Sequence, residues 1–166
     1  MSKLEIHESS FVHSDSILKG EIVFGAGTVV HPYAQIDAGP GKIIFGTNNI
    51  IEENSQIINK DEGKVIIIGN DNIFEVGSNV QASSIGNNNV FGIRSQVAPN
   101  VTVPDGCVLG PKCQVNKNED LQPNTVIYGE ENKRRIASSN VNNSQRPHCD
   151  FLQTKLSTYG KSFKNL

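Results

Sequence analysis

Four histidines (His7, His13, His31, His148) and three cysteines (Cys107, Cys113, Cys149) are the side chains best suited to metal or nucleophilic chemistry in this 166-residue chain. A hydrating zinc centre needs three imidazoles converging on one ion with a position left open for water. No His-x4-His pair occurs, and no histidine lies between residues 32 and 147. Acyl transfer needs a general-base histidine beside a substrate-reaching loop. The one candidate loop, residues 59 to 64 (NKDEGK), contains no His, Cys or other nucleophile. GxxxxGK[ST] and GxGxxG phosphate cradles are also absent, and the three cysteines show no CxxC spacing. The sequence therefore predicts no catalytic residue, no metal site and no cofactor.

What must position these residues is a repeat. An aliphatic or Phe anchor recurs every six positions at Ile6, Val12, Leu18, Phe24, Val30 and Ile36. The frame slips by three across AGPGK and resumes at Phe45, Ile51 and Ile57. After the 59 to 64 loop it returns at Ile68, Phe74 and Val80, loses one residue, and runs through Ile85, Phe91, Val97, Val103, Leu109, Val115, Leu121 and Ile127. The residue four places after an anchor is usually short, as in Ser10, Thr28, Ala34, Ser55, Ser78, Ser95, Cys107, Cys113 and Thr125, and Gly often follows the anchor directly. Three hexads close one triangular coil, and coils stack at about 4.8 Å through backbone hydrogen bonds. The expected fold is all-β: a parallel β-helix of six to seven coils over residues 1 to 129, a polar linker over 130 to 149, and a C-terminal helix over 150 to 164 packed on the prism.

Composition agrees. Ile and Val number 33 against 13 for Leu and Ala, with 19 Asn, 15 Gly and no Trp. That vocabulary suits strands and tight corners rather than a helical bundle. A formal charge of −2 with no basic block argues against a nucleic-acid binder. The start, MSKLEIHESS, has no apolar h-region, and no apolar run approaches the roughly 18 residues of a membrane span. Three unpaired-looking cysteines fit a reducing, cytoplasmic setting.

The residue before each anchor should point outward. On the second of the three faces these are Phe11, Val29, Ile50, Ile73, Val90, Val108 and Val126, an aliphatic stripe that needs a cover. On the third they are Ile17, Gln35, Gln56, Asn79, Gln96 and Gln114, an amide ladder content in water. The tail's Phe151, Leu152, Leu156, Tyr159 and Phe163 fall at helical spacing behind Asp150 as N-cap, so the tail helix is the expected cover for part of the stripe, with a partner on the rest. In the same register His13, His31, Glu52 and Glu75 form one column. It could hold a divalent ion, but a ladder in which a carboxylate steadies a histidine is the simpler reading. Cys107 and Cys113 fall in the short inward slot as compact hydrophobes, and Cys149 in the linker.

The runs TNNIIEENSQIIN (47 to 59), IIGNDNIFEVG (67 to 77), GNNNVF (86 to 91), VIYG (126 to 129) followed by Arg134 and Arg135, and DFL (150 to 152) resemble the dynactin subunit 6 family over nearly the whole chain. The resemblance implies a left-handed coil and a non-enzymatic subunit of the dynactin pointed-end complex on the cytoplasmic cytoskeleton. Its partners would be dynactin subunit 5, dynactin subunit 4 and the pointed-end actin-related protein, and its role capping the actin-like filament and supporting dynein cargo selection in microtubule-based transport. Hexads alone are shared with trimeric acyltransferases and γ-class carbonic anhydrase-like enzymes, which are the alternative class. The short 59 to 64 loop and the absence of Ser-Pro or Thr-Pro dipeptides depart from the family pattern.

Overall fold

The computed structural model describes residues 3–116, 118–138, 145–157 and 160–163. Short strands stack in parallel along one axis into about seven turns of a β-solenoid. The stacking register restates the sequence frame. Phe11 pairs Val29, then Ile50, Ile73, Val90, Val108 and Val126, so successive partners lie 18, 21, 23, 17, 18 and 18 residues apart. The 21 and 23 are the AGPGK insertion and the 59 to 64 loop, and the 17 is the lost residue.

The second face is an eight-stranded sheet: β2 (Phe11–Val12), β4 (Val29–Val30), β6 (Ile50–Ile51), β9 (Ile73–Phe74), β12 (Val90–Phe91), β15 (Val108–Leu109), β18 (Thr125–Tyr128) and β19 (Lys133–Ile136). The first and third faces are one eleven-stranded sheet of β1 (Lys3–Ile6), β3 (Ile17–Phe24), β5 (Gln35–Phe45), β7 (Gln56–Ile58), β8 (Val65–Ile68), β10 (Asn79–Val80), β11 (Ser84–Ile85), β13 (Gln96–Val97), β14 (Val101–Val103), β16 (Gln114–Val115) and β17 (Glu119–Asp120), because β3 and β5 run from one face into the next. The three-residue insertion thus extends a strand instead of making a separate loop, with the register shift taken up between Lys19 and Glu21.

Inside, nineteen of the twenty anchors are buried, and Leu18 is partly so and packed on the same core. Stacked rings form two layers, Phe24 on Phe45 at 5.1 Å and Phe74 on Phe91 at 4.8 Å. The corners explain the composition. Among the described residues, six asparagines, Asn48, Asn88 and Asn124 among them, hold φ between 52° and 62°, a left-handed conformation that Asn tolerates better than most residues. At Gly69 a Cβ would run into the Gly86 carbonyl of the next coil and the Asn87 side chain. Only glycine lets the backbones approach that closely.

The tail differs from expectation in three ways. Residues 130 to 149 are not wholly linker, since β19 (Lys133–Ile136) folds back antiparallel on β18. The helix, α1, is Arg146–Leu156 rather than 150 to 164. It starts earlier because Pro147 suits the first turn, so Gln145 takes the N-cap position and Asp150 lies inside the helix. It ends at Ser157, and after Gly160 the chain continues as an extended segment whose Phe163 N–H donates to the Val12 carbonyl at 2.7 Å.

Candidate interaction surfaces

Alternation along strands two or three residues long sends each anchor inward and its predecessor outward. The second-face stripe is built this way, and the structure divides it. Phe11, Val29 and Ile50 are buried beneath α1 in a small core of their own with Cys149 and Leu156, and Ile73 and Leu152 pack on its margin. Val90, Val108 and Val126 continue the same column but remain half-exposed and belong to neither core. Among the described residues, the tail therefore docks on its own prism over the first part of the stripe.

Polar contacts hold α1 in register along the axis. The Gln145 N–H donates to Asp71 Oδ1 at 2.8 Å, and Gln153 Nε2 donates to the Ser9 carbonyl at 2.6 Å. Of the tail residues expected to face the prism, Leu152 and Leu156 do so. Phe151 is 57% exposed and carries Lys155 over its ring at 5.8 Å. Phe163 reaches the main core from beyond the helix, and Tyr159 lies outside the described residues. Cys149 is a fully buried helix residue rather than a linker residue. Burial, reinforced by the Asp71 and Asp150 carboxylates, pushes its thiol up to about 12.

The histidine column does not converge on an ion. His13 is buried where the tail crosses it: its Nδ1 accepts from the Asp15 N–H at 3.0 Å, and Gly160 sits against the ring where a Cβ could not fit. His31 turns to Glu53, with Nδ1 to Oε1 at 3.2 Å, and not to Glu52. Burial, with the Glu75 and Glu53 carboxylates adding to it, raises the Glu52 carboxyl above its ordinary range. Among the described residues, no group of three or more His, Cys, Asp or Glu side chains is placed to hold a metal. The carboxylate that steadies a histidine is real, but it is one residue along from the expected ladder of His13, His31, Glu52 and Glu75.

On the third face the amide ladder forms a direct link from Asn79 Nδ2 to Gln56 Oε1 at 3.1 Å. Two features were not read from the sequence. One is a second apolar column, on the first face, where Val23, Ile44 and Ile67 stack in register, with Ile67 60% exposed and Val65 beside it on the same strand. Its signal was present in the alternation of VIII at 65 to 68, where a strand longer than one hexad arm turns two aliphatics outward. The other is a buried asparagine ladder. Asn49, Asn72 and Asn89 occupy the otherwise short slot four places after an anchor, all fully buried. Asn72 Nδ2 donates to Asn49 Oδ1 at 3.0 Å and to the Gly86 carbonyl at 2.9 Å, while its Oδ1 accepts from the Asn89 N–H at 3.0 Å. Asn89 repeats the pattern to Pro104 and Cys107.

No protein-family model matches the chain. Among solved structures it is similar to a hexapeptide transferase family protein from Anaplasma phagocytophilum, with TM-score 0.73 and 15% identity over 94% of this chain and 88% of that one. A putative acetyltransferase from Bacillus cereus gives 0.60 and 14%, over 95% and 90%. At such identities the likeness establishes the fold, a left-handed hexapeptide-repeat β-helix with a C-terminal helix, and nothing of the chemistry. In sequence the chain is 40% identical to dynactin subunit 6 of Nematostella vectensis over 95% of this chain and 90% of the relative. It is 38% identical to that of Danio rerio, over 94% and 85%, and 36% identical to that of Caenorhabditis elegans, over 95% and 87%. At this identity and coverage the chain belongs to the dynactin subunit 6 family.

Proposed function

We propose that the chain is a non-catalytic structural subunit of the dynactin complex. It would sit in the pointed-end subcomplex that caps the actin-related filament and supports dynein cargo targeting and microtubule-based transport, in the cytoplasm and on the cytoskeleton. Dynactin subunit 5, dynactin subunit 4 and the pointed-end actin-related protein are its partners in this reading. The observation that carries it is the 40% identity with a dynactin subunit 6 across 95% of the chain. The geometry agrees in kind. A stacked prism is stiff, presents flat sides at fixed spacing, and keeps an aliphatic stripe half-covered, which suits a part that is held between other subunits.

Two of the four histidines are taken up within the fold. His13 is packed under the chain's own tail and His31 is engaged by Glu53, so neither imidazole stands in an open cleft as a general base would. Of the described residues, no helix is long and apolar enough to cross a membrane. Light scattering of the purified chain, alone and co-expressed with dynactin subunit 5, tests the proposal. A stable hetero-complex is expected. A symmetric homotrimer indifferent to that partner refutes it and favours the acyltransferase class that shares the fold.

A further inference from the structure

The outward column of the second face is one continuous surface made twice over from the same residue class. From Phe11 to Ile73 it spans three coil spacings, about 14 Å at roughly 4.8 Å per coil. From Ile73 to Val126 it spans three more. α1 has 11 residues, about 16 Å at roughly 1.5 Å per residue, and lies along the first of these lengths. Its axis follows the stack, from Gln145 at Asp71 of the fourth coil to Gln153 at Ser9 of the first. Cys149, Leu152 and Leu156, at i, i+3 and i+7, meet the column. The protein itself thus demonstrates which secondary structure the stripe accepts and in which direction.

Beyond α1 the column continues as Val90, Val108 and Val126, in unbroken 18-residue register and half-exposed. At its end the exposed Arg135 pairs across from Val126 on β19, which places its side chain on the same outward face. Arg134 beside it is already engaged in a two-pronged ion pair with Glu119, at 2.6 and 2.9 Å.

We infer that Ile73, Val90, Val108 and Val126 form a flat docking strip for an amphipathic helix supplied by a neighbouring subunit. That helix would be about ten residues long and lie end to end with α1, with small or aliphatic residues at i, i+3 or i+4, and i+7, and a carboxylate at the end that meets Arg135. The inference rests on the reading of the chain as an assembly subunit and specifies what that assembly places on this face. The occupant is a helix because α1 occupies the equivalent length of the same column. An added strand would have to pair at an end of the stack, on the outer edge of β19, and so would not lie along the column.

The test uses dynactin purified through a tag on the full-length chain, with p-benzoylphenylalanine in place of Val108. Irradiation followed by mass spectrometry is expected to join position 108 to a segment of another subunit with apolar residues at helical spacing. A crosslink to this chain's own residues 138 to 145, to a second copy, to a segment without that spacing, or to nothing overturns the inference. Val90→Asp and Val108→Asp should lower recovery in the complex at least tenfold, while Val65→Asp, exposed on the first face, leaves it unchanged. Circular dichroism confirms that each variant folds, and the crosslink decides where one does not. If the unsubstituted chain enters no dynactin, both the function and this inference fail; if it enters with Val108 uncrosslinked, only the inference does.

Discussion

Removing the Asn72 side chain should cost more stability than its size suggests. Asn72 is fully buried, and its carboxamide makes three hydrogen bonds: to Asn49 Oδ1, to the Gly86 carbonyl, and from the Asn89 N–H. In Asn72→Ala, Asn49 Oδ1 keeps the Asn72 backbone N–H at 3.0 Å, so the groups orphaned outright are the Gly86 carbonyl and the Asn89 N–H. Each buried group left without a partner costs about 1–3 kcal/mol, so the pair predicts a loss of about 2–6 kcal/mol. At about 2–4 °C per kcal/mol for a chain of this size, the melting temperature should fall by about 4–24 °C. Asn72→Thr should recover part of the loss, because Thr28 fills the same slot two coils away and its hydroxyl donates to the Gly46 carbonyl at 3.3 Å. Asn72→Asp should be worse than Ala near neutral pH, since it sets a carboxylate against two acceptors, and should improve on acidification as the carboxyl protonates. Urea melts with unchanged m-values, run at two pH values, check the series. An alanine variant within about 1 kcal/mol of the parent, or an aspartate variant insensitive to pH, would refute the view that this ladder is a satisfied polar spine.

Three further outcomes follow from the same geometry. Phe74→Ala removes a fully buried ring stacked on Phe91 and should cost about 3–5 kcal/mol in a urea melt; a loss under about 1 kcal/mol would mean that the coil collapses around the gap. Because the Glu52 carboxyl is raised in the folded chain, its ionisation penalises the fold as pH climbs through and beyond the ordinary carboxyl range. Glu52→Gln should therefore be more stable than the parent at pH 7, with the difference vanishing as the solution is acidified; a difference that grows in acid contradicts the assignment. Cys149, buried under α1 with its thiol pushed to about 12, should react with a thiol reagent at pH 8 at least a thousandfold more slowly than in urea; labelling at the unfolded rate would mean that α1 is not docked in solution.

Much of the fold was legible because its period is short and strict. An anchor every six residues fixes which side chains point inward, and each break in the count reappears as a register step of 21, 23 or 17 residues between paired strands. The tail was less legible, for a physical reason. Helical spacing in Phe151, Leu152 and Leu156 identifies a helix but not its first turn, which Pro147 sets by suiting a position that needs no N–H. The strand at Lys133–Ile136 carries three consecutive basic residues, all exposed, and nothing in that composition announces a strand. It forms because β18 offers an edge, a tertiary fact that local sequence does not contain.

The asparagines show where a correct compositional reading still conceals two different physical roles. At the corners Asn is used for its tolerance of positive φ, as at Asn48 and Asn88. One residue later, Asn49 and Asn89 turn inward and join Asn72 in a hydrogen-bonded column. Both uses produce the same letter in adjacent positions, so the NN and NNN runs look like turn signals throughout. The distinction matters for the outer surface as well. A side chain that donates to one coil and accepts from the next ties their axial register to a buried, directional contact. With that register fixed, an outward column such as Val90, Val108 and Val126 stays aligned from coil to coil, and a partner helix meets a straight stripe instead of a staggered one.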